Sequence, residues 1–412
     1  MNKEQSDTRT RVLIVGGGVA GLETLLALGD LAGDRVSLTL VAPQPDFIYK
    51  PLLVEEPFDL GPAERHELAP LAEEKGARFV QSAVSAVRPE DHVVELDDGS
   101  TLEYDYLVVC TGGRFKPALE AATTFPSGSK SFSADEILSR AEGKDHRLVF
   151  IVPSGVVWSL PLYELALMTQ RRAVQRGLDV KIAIVTPESA PLAIFGPAAS
   201  EAVSELLKAR GIHMFTGSRV REMDEGGITL TPGDRVLGPA EAIALPVMEG
   251  PAIDGLPADE QGFIPVDEHG RVKGVEDVYA AGDGTNFPIK QGGLGTQQAD
   301  AAAEHIAHRL GASETPEPFR PLLRGKLLTG DESLSLSTDV AGGGGAGVAS
   351  ADYLWWPPHK ISSRYLAPLL HYGDVHGEPE PPRRSLDVEV ALPKEWHEEP
   401  MALDSNEPPK VD

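Results

Sequence analysis

Cysteine is almost absent from this 412-residue chain, in which Cys110 stands alone. An internal disulfide, a Cys-x-x-Cys redox pair and a cysteine-rich metal site are therefore excluded, and no metal site is expected. Basic residues are also scarce, with 37 Lys and Arg against 63 Asp and Glu, and the net charge of −26 argues against a nucleic-acid partner. No window reaches the ~18 consecutive apolar residues of a membrane-spanning helix. Met1 to Arg11 is polar and charged where a secretory leader would be apolar. These absences predict a cytoplasmic protein, with at most peripheral contact on the cytoplasmic face of a membrane.

What is present is enough apolar sequence, 41% of residues, for two or three domains with real cores. The most specific feature follows the polar leader. An apolar run from Arg11 to Val15 enters Gly16-x-Gly18-x-x-Gly21, and Leu22, Leu25, Leu26 and Leu28 then recur with helical spacing. Strand, tight glycine turn and helix in that order predict a dinucleotide cradle. Gly16 permits the turn, Gly18 lets the backbone approach a pyrophosphate, and Gly21 lets the helix pack on the strand. The N-terminal N–H groups of Val19, Ala20 and Gly21 meet the phosphates.

Two α/β units are expected. In the first, Val36 to Val41 reads as a strand, and residues 77–104 as a four-stranded β-meander, Ala77 to Val80, Ala83 to Arg88, Val93 to Leu96 and Thr101 to Tyr104, with turns at Pro89-Glu-Asp and Asp97-Asp-Gly-Ser. Tyr106 to Gly113 is a buried strand ending in glycines. The second unit opens with a strand from Arg147 to Val152. Helices from Pro161 to Val174 and from Ala198 to Arg210 follow, the latter stopped by Gly211. Val278-Tyr-Ala-Ala-Gly-Asp-Gly284 then reads as a strand ending in an acidic turn, before a helix from about Gly295 to Leu310. The spacing predicts a discontinuous first domain, residues 1–114 and 250–315, interrupted by a second over 115–249. A segment over 316–374 and an acidic, proline-rich tail over 375–412 complete the chain. Gly342 to Gly345 reads as a flexible loop.

Gly16 to Gly21, Leu107 to Gly113 and Val278 to Gly284 occur in one order over roughly 300 residues, far more specific than any one alone. In that order they resemble the flavoproteins with two dinucleotide-binding domains, the pyridine nucleotide-disulfide oxidoreductase superfamily. The resemblance implies an α/β fold of two Rossmann-like domains, an FAD-dependent oxidoreductase and non-covalent FAD. It places Gly16, Gly18, Val19, Ala20 and Gly21 on the pyrophosphate, with Thr111 and Gly112 nearby. Gly282 and Asp283 fall on the ribityl–phosphate end. The helix entered by Gln291 to Gln298 would point its N-terminus, through the backbone of Gly295 and Thr296, at the flavin ring, with Lys290 just before it.

Two departures narrow the reading. Ala42 ends the second strand where a ribose-binding carboxylate is usual, and Asp46 is the nearest acid. Pro153 to Pro161 carries Val156, Val157 and Trp158 where a second glycine turn would receive NAD(P)H, which makes that cofactor doubtful, and Glu188 is the available ribose partner there. A lost second fingerprint resembles sulfide:quinone oxidoreductases, and the overall pattern also resembles type II NADH dehydrogenases. The former use paired cysteines that this chain lacks. Residues 353–372 gather aromatics, Lys360 and Arg364 beside leucines, which suits either a peripheral membrane contact or a packed cover. The reading is an FAD-dependent oxidoreductase moving electrons from a small donor to a small acceptor such as a quinone. An NAD(P)H:acceptor reductase and a flavin-binding protein without turnover stand as alternatives. No side chain is singled out as catalytic acid or base.

Overall fold

The computed structural model describes residues 9–126, 133–141, 146–156, 158–338 and 347–375. Val157, the Gly342–Gly345 run and residues 376–412 lie outside them. The expected α/β architecture is present as two parallel five-stranded sheets.

The first sheet runs Val278–Ala280, Tyr106–Val109, Thr10–Val15, Val36–Ala42, Arg78–Gln81. Its strands are apolar almost throughout because both faces are covered. Val12 and Ile14 face a core with Leu22, Leu25 and Leu28 of the helix Val19–Ala32 and with Ala299, Ala302 and Ile306 of the helix Gly292–Arg309. Leu13 and Val15 alternate to the other side, against Val87, Val94 and Leu96. Those three belong to an antiparallel sheet of Val84–Arg88, Val93–Leu96 and Thr101–Glu103. The four-stranded meander expected over 77–104 is thus corrected to three strands. Arg78–Gln81 instead pairs parallel with Val36–Ala42 as the sheet edge. Parallel pairing needs a crossover, and the helix Leu68–Glu74 supplies it.

The chain leaves and re-enters this unit side by side, through the antiparallel pair Arg114–Lys116 and Val247–Glu249. Between them, the second sheet runs Thr123–Thr124, Glu241–Ala244, His146–Ile151, Val180–Val185, His213–Phe215. Helices Leu160–Gln175 and Pro197–Ala209 cover it, with Leu162, Leu165, Val203 and Leu207 in one core beside Phe150 and Ile184.

The remaining chain joins the two units. A three-stranded sheet of Arg324–Leu327, Leu334–Ser337 and Val348–Ser350 places Leu327 and Leu336 in the second unit's core. Residues past 353 return to the first unit, where Ile361, Tyr365 and Leu366 are buried beside the Val19–Ala32 helix. Most apolar side chains of this segment therefore face inward, although Tyr353 and Tyr372 remain exposed. A buried ion pair pins the crossing. Lys360 Nζ lies 2.8 and 2.7 Å from the two Glu164 oxygens and 3.0 Å from the Pro51 carbonyl.

The Lys360 and Glu164 side chains are only 8% and 0% exposed, so neither charge has water to fall back on. Lys360→Met should destabilise the protein by about 3–5 kcal/mol by stranding the carboxylate. The double variant with Glu164→Gln should recover much of that loss. Chemical denaturation of the single and double variants reads the difference, and equal losses in the two would refute the pairing energy.

Candidate functional site

The first glycine turn is built by backbone proximity. A Cβ on Gly16, whose φ is +116°, would sit 2.2 Å from the Cys110 carbonyl oxygen, and one on Gly21 would sit 1.8 Å from the Gly16 oxygen. Gly18 is different, since nothing lies within 4 Å of its missing Cβ. Gly18 is also the N-cap of the helix Val19–Ala32, and no side chain caps that end. Among the described residues, the N–H groups of Val19, Ala20 and Gly21 donate to nothing. An open space beside uncapped N–H donors at a helix N-terminus is what a pyrophosphate requires. The residues present fit that group.

The other sequence-predicted residues converge on the same place. A Cβ on Gly282 would lie 3.0 Å from Ala20 Cβ, one on Gly295 3.1 Å from Gly282 Cα, and one on Gly284 3.0 Å from the Gly112 oxygen. The cradle, the Thr111–Gly112 strand end, the Gly282–Asp283 turn and the second helix therefore meet. That helix starts at Gly292 rather than near Gly295, because the Gln291 side chain accepts from Leu294 N at 2.8 Å and caps it earlier. Thr296 is buried, and its hydroxyl donates inward to the Gly293 carbonyl at 2.9 Å, which leaves it only a backbone role. Gln298 was not anticipated. Its Oε1 accepts from Gly282 N at 2.7 Å, and its Nε2 donates to Thr285 Oγ1 at 3.2 Å, so it holds the acidic turn. Its spacing from Gly295, three residues along one helix face, was the available signal.

Sheet order gives a bound dinucleotide its direction. The adenosine ribose lies toward the end of the second strand in this fold type. The other half must then cross the ends of Tyr106–Val109 and Val278–Ala280, on the opposite side of Thr10–Val15. Asp283 and the N-terminus of Gly292–Arg309 lie at that side of the sheet. The Asp283 carboxylate accepts no hydrogen bond from the described residues. Its burial raises its pKa, which Lys290 and then Lys50 partly offset. Asp46, the nearest acid to the ribose end, lies in a short strand Asp46–Ile48 paired with Arg65–Glu67.

The second unit contrasts at each of these points. Val156 and Trp158 pack toward the core rather than outward, and the Trp158 ring lies 5.7 Å from that of Phe195. The helix Leu160–Gln175 opens at Ser159 and Leu160, which are 4% and 2% exposed. The strand Arg324–Leu327 lies over that opening, so close that a Cβ on Gly325 would be 2.9 Å from Leu160 Cδ1. Glu188 is half-buried and already engaged. Its carboxylate accepts from Ser159 Oγ at 3.0 Å, Tyr163 OH at 2.7 Å and Thr186 Oγ1 at 2.8 Å.

The pyridine nucleotide-disulphide oxidoreductase family matches residues 10–305. The chain belongs to that family. It is an FAD-binding oxidoreductase. It is 27% identical over 370 residues to a demethylphylloquinone reductase of Synechocystis, covering 83% of this chain and 88% of that protein. Over 369 residues it is 27% identical to an alternative NAD(P)H-ubiquinone oxidoreductase of Arabidopsis thaliana, covering 76% and 69% of the two chains. The solved sulfide:quinone oxidoreductase of Aquifex aeolicus superposes with a TM-score of 0.74 at 19% identity, covering 83% of this chain and 87% of that one. That likeness shows the shared fold.

The disulfide in the family's name has no counterpart here. Cys110 is buried, 3.7 Å from Thr24 Oγ1, and burial pushes its thiol up to about 12. Cys110→Ala should leave flavin reduction within about twofold of wild type, because a thiol protonated at neutral pH is no nucleophile. Loss of flavin reduction with fold and FAD content intact would show otherwise. Gly18→Val tests the cradle more directly. Gly18 has an ordinary φ of −90° and an open neighbourhood, so the variant should fold but fail to retain FAD. Absorbance near 450 nm after gel filtration, beside circular dichroism, checks both halves, and a yellow Gly18→Val protein would remove the cradle from the site.

Proposed function

We propose that the chain is an FAD-dependent reductase of a small quinone-type acceptor, whose electrons do not come from a nicotinamide nucleotide. On this reading the first domain, residues 1–114 and 250–315, holds FAD through Gly16, Gly18, Val19, Ala20, Gly21, Thr111, Gly112, Gly282, Asp283, Gly295 and Thr296. The second domain, residues 115–249, serves as a seat for the C-terminal sheet. FAD supplies the two-electron relay, and the protein contributes orientation and electrostatics.

The observation that carries this reading is the contrast between the two helix N-termini. One is uncapped beside open space at Gly18, whereas the other is covered by the strand through Gly325. Support for a quinone comes from relatives named for quinones, the Synechocystis demethylphylloquinone reductase and the Arabidopsis ubiquinone oxidoreductase. The single cysteine argues against sulfide as donor by a paired-thiol route. The Arabidopsis relative, named also for NAD(P)H, favours a second reading in which a nicotinamide nucleotide docks after all.

Among the described residues no helix is long and apolar enough to cross a membrane. Any membrane contact through residues 353–372 would rest on Tyr353, Tyr372 and the half-buried Trp356, Leu369 and Leu370, since Leu354, Trp355 and Ile361 are buried.

The nicotinamide question has a direct test. A nucleotide denied the second helix N-terminus loses several hydrogen bonds to its phosphates, each worth about 1.5–3 kcal/mol. NADH and NADPH should therefore bind on the order of millimolar or weaker and reduce the flavin slowly. Titration calorimetry and stopped-flow absorbance check this. Micromolar binding with rapid bleaching near 450 nm would establish the second reading, and no bleaching by any reductant tried would favour a flavoprotein without turnover.

A further inference from the structure

Lys290 is half-buried beside the acidic turn of the candidate cofactor cleft. Lys290 immediately precedes Gln291, the cap of the Gly292–Arg309 helix. Its ammonium donates to the Thr285 carbonyl at 2.5 Å and lies 3.6 Å from the centre of the Phe263 ring. Thr285 in turn is tied to the acidic turn, its hydroxyl donating to the Gly282 carbonyl at 2.9 Å. The carboxylates facing Lys290 are Asp283 and Asp259, and Lys50 faces Asp283 as well. Asp259 is already engaged, its Oδ1 accepting from Gln261 N and Phe263 N at 2.9 Å each. Asp283 is the one of the two with no donor among the described residues. The ammonium thus sits beside the Gly282–Asp283 turn, just ahead of the start of the Gly292–Arg309 helix.

We propose that Lys290 sets the reduction potential of the bound flavin, by holding a positive charge next to the N1/O2 edge of the ring, where negative charge develops on reduction. This rests on the reading that FAD occupies the cradle. The balance is simple: two electrons and one proton enter the ring, and one negative charge remains. The helix N-terminus offers that charge about half an elementary positive charge. Lys290 offers a full one in a site that is poorly hydrated, where charge interactions are strong. Desolvation also brings Lys290 within an accessible pH range. Desolvation lowers it to about 8, with Asp283 and then Asp259 opposing the shift.

The sign of the pH effect follows. Below about pH 8 the ammonium is charged whether the ring is oxidised or reduced, so two electrons bring one proton. Above about pH 8 it is neutral beside the oxidised ring, and the negative charge of reduction draws a second proton from water onto it. The potential should then fall by 29.6 mV per pH unit below the break and by twice that above it, since a tenfold change in a two-electron equilibrium is 29.6 mV.

Dye-equilibrated reductive titration of the FAD-loaded protein from pH 6 to 10 tests this, with FAD affinity of the apoprotein measured in parallel. Lys290→Met should lower the potential at pH 7 by at least the 29.6 mV of a tenfold change and keep the shallow slope throughout. Lys290→Arg should restore the potential at pH 7 and also keep the shallow slope, because its guanidinium does not titrate in this range. A Lys290→Met protein that binds FAD and shows the wild-type potential and slope would overturn the proposal. A wild-type protein that takes up no FAD would overturn the cofactor assignment at this site, and the proposal with it.

Discussion

Two helix N-termini can face one ligand only if the turns that feed them come within backbone contact. Here that contact is made where side chains are missing. Gly21 closes on Gly16, and Gly16 on Cys110 and Thr111, at separations a Cβ would make impossible, and Gly295 approaches Gly282 so closely that a Cβ would crowd it. Each closure brings another strand end to the same spot. The strands Thr10–Val15, Tyr106–Val109 and Val278–Ala280 are adjacent in the sheet, so their C-terminal ends already line one edge. The glycines turn that edge into a cleft, and Gln298 fixes the last turn through Gly282 N.

The second unit repeats the strand–helix architecture and uses it differently. The same topological position, a strand end followed by a helix start, is filled from within by Trp158 on Phe195 and by the strand through Gly325. An acidic residue does follow the next strand. Three hydroxyls from Ser159, Tyr163 and Thr186 already occupy Glu188. A hydrogen-bonding group satisfied internally has little to gain from a ligand.

Several buried carboxylates do structural work in this acidic chain. Glu23 is fully buried on the first helix and accepts the backbone N–H groups of Arg364, Tyr365 and Leu366 at 2.8, 2.9 and 2.7 Å. It therefore satisfies the uncapped start of the helix Leu366–Tyr372. Asp300, on the neighbouring helix, meets Glu23, and burial followed by that neighbouring charge raises its pKa. With Glu164 on Lys360, these contacts hold the C-terminal segment across both units, which the aromatic content of that segment did not foretell.

Local order along the chain determined much of this protein. Apolar runs ending in glycine turns, each followed by a helical pattern, were sufficient for two α/β units and for Gly16 to Gly21 as a candidate cradle, whereas Gly282 and Asp283 joined it only through the resemblance to two-domain flavoproteins. Backbone conformation and strand burial are written in neighbouring residues. Tertiary structure alone decided what depends on residues far apart. Arg78–Gln81 left the meander for the parallel sheet because a helix intervened to carry it there. Gln298 became a holder of the acidic turn only when its helix met Gly282. The second helix start is covered by a strand some 165 residues later, a separation at which no periodicity survives. A ligand site is a space as well as a set of residues. The residues are local, whereas the space exists only after distant segments have packed around it or into it.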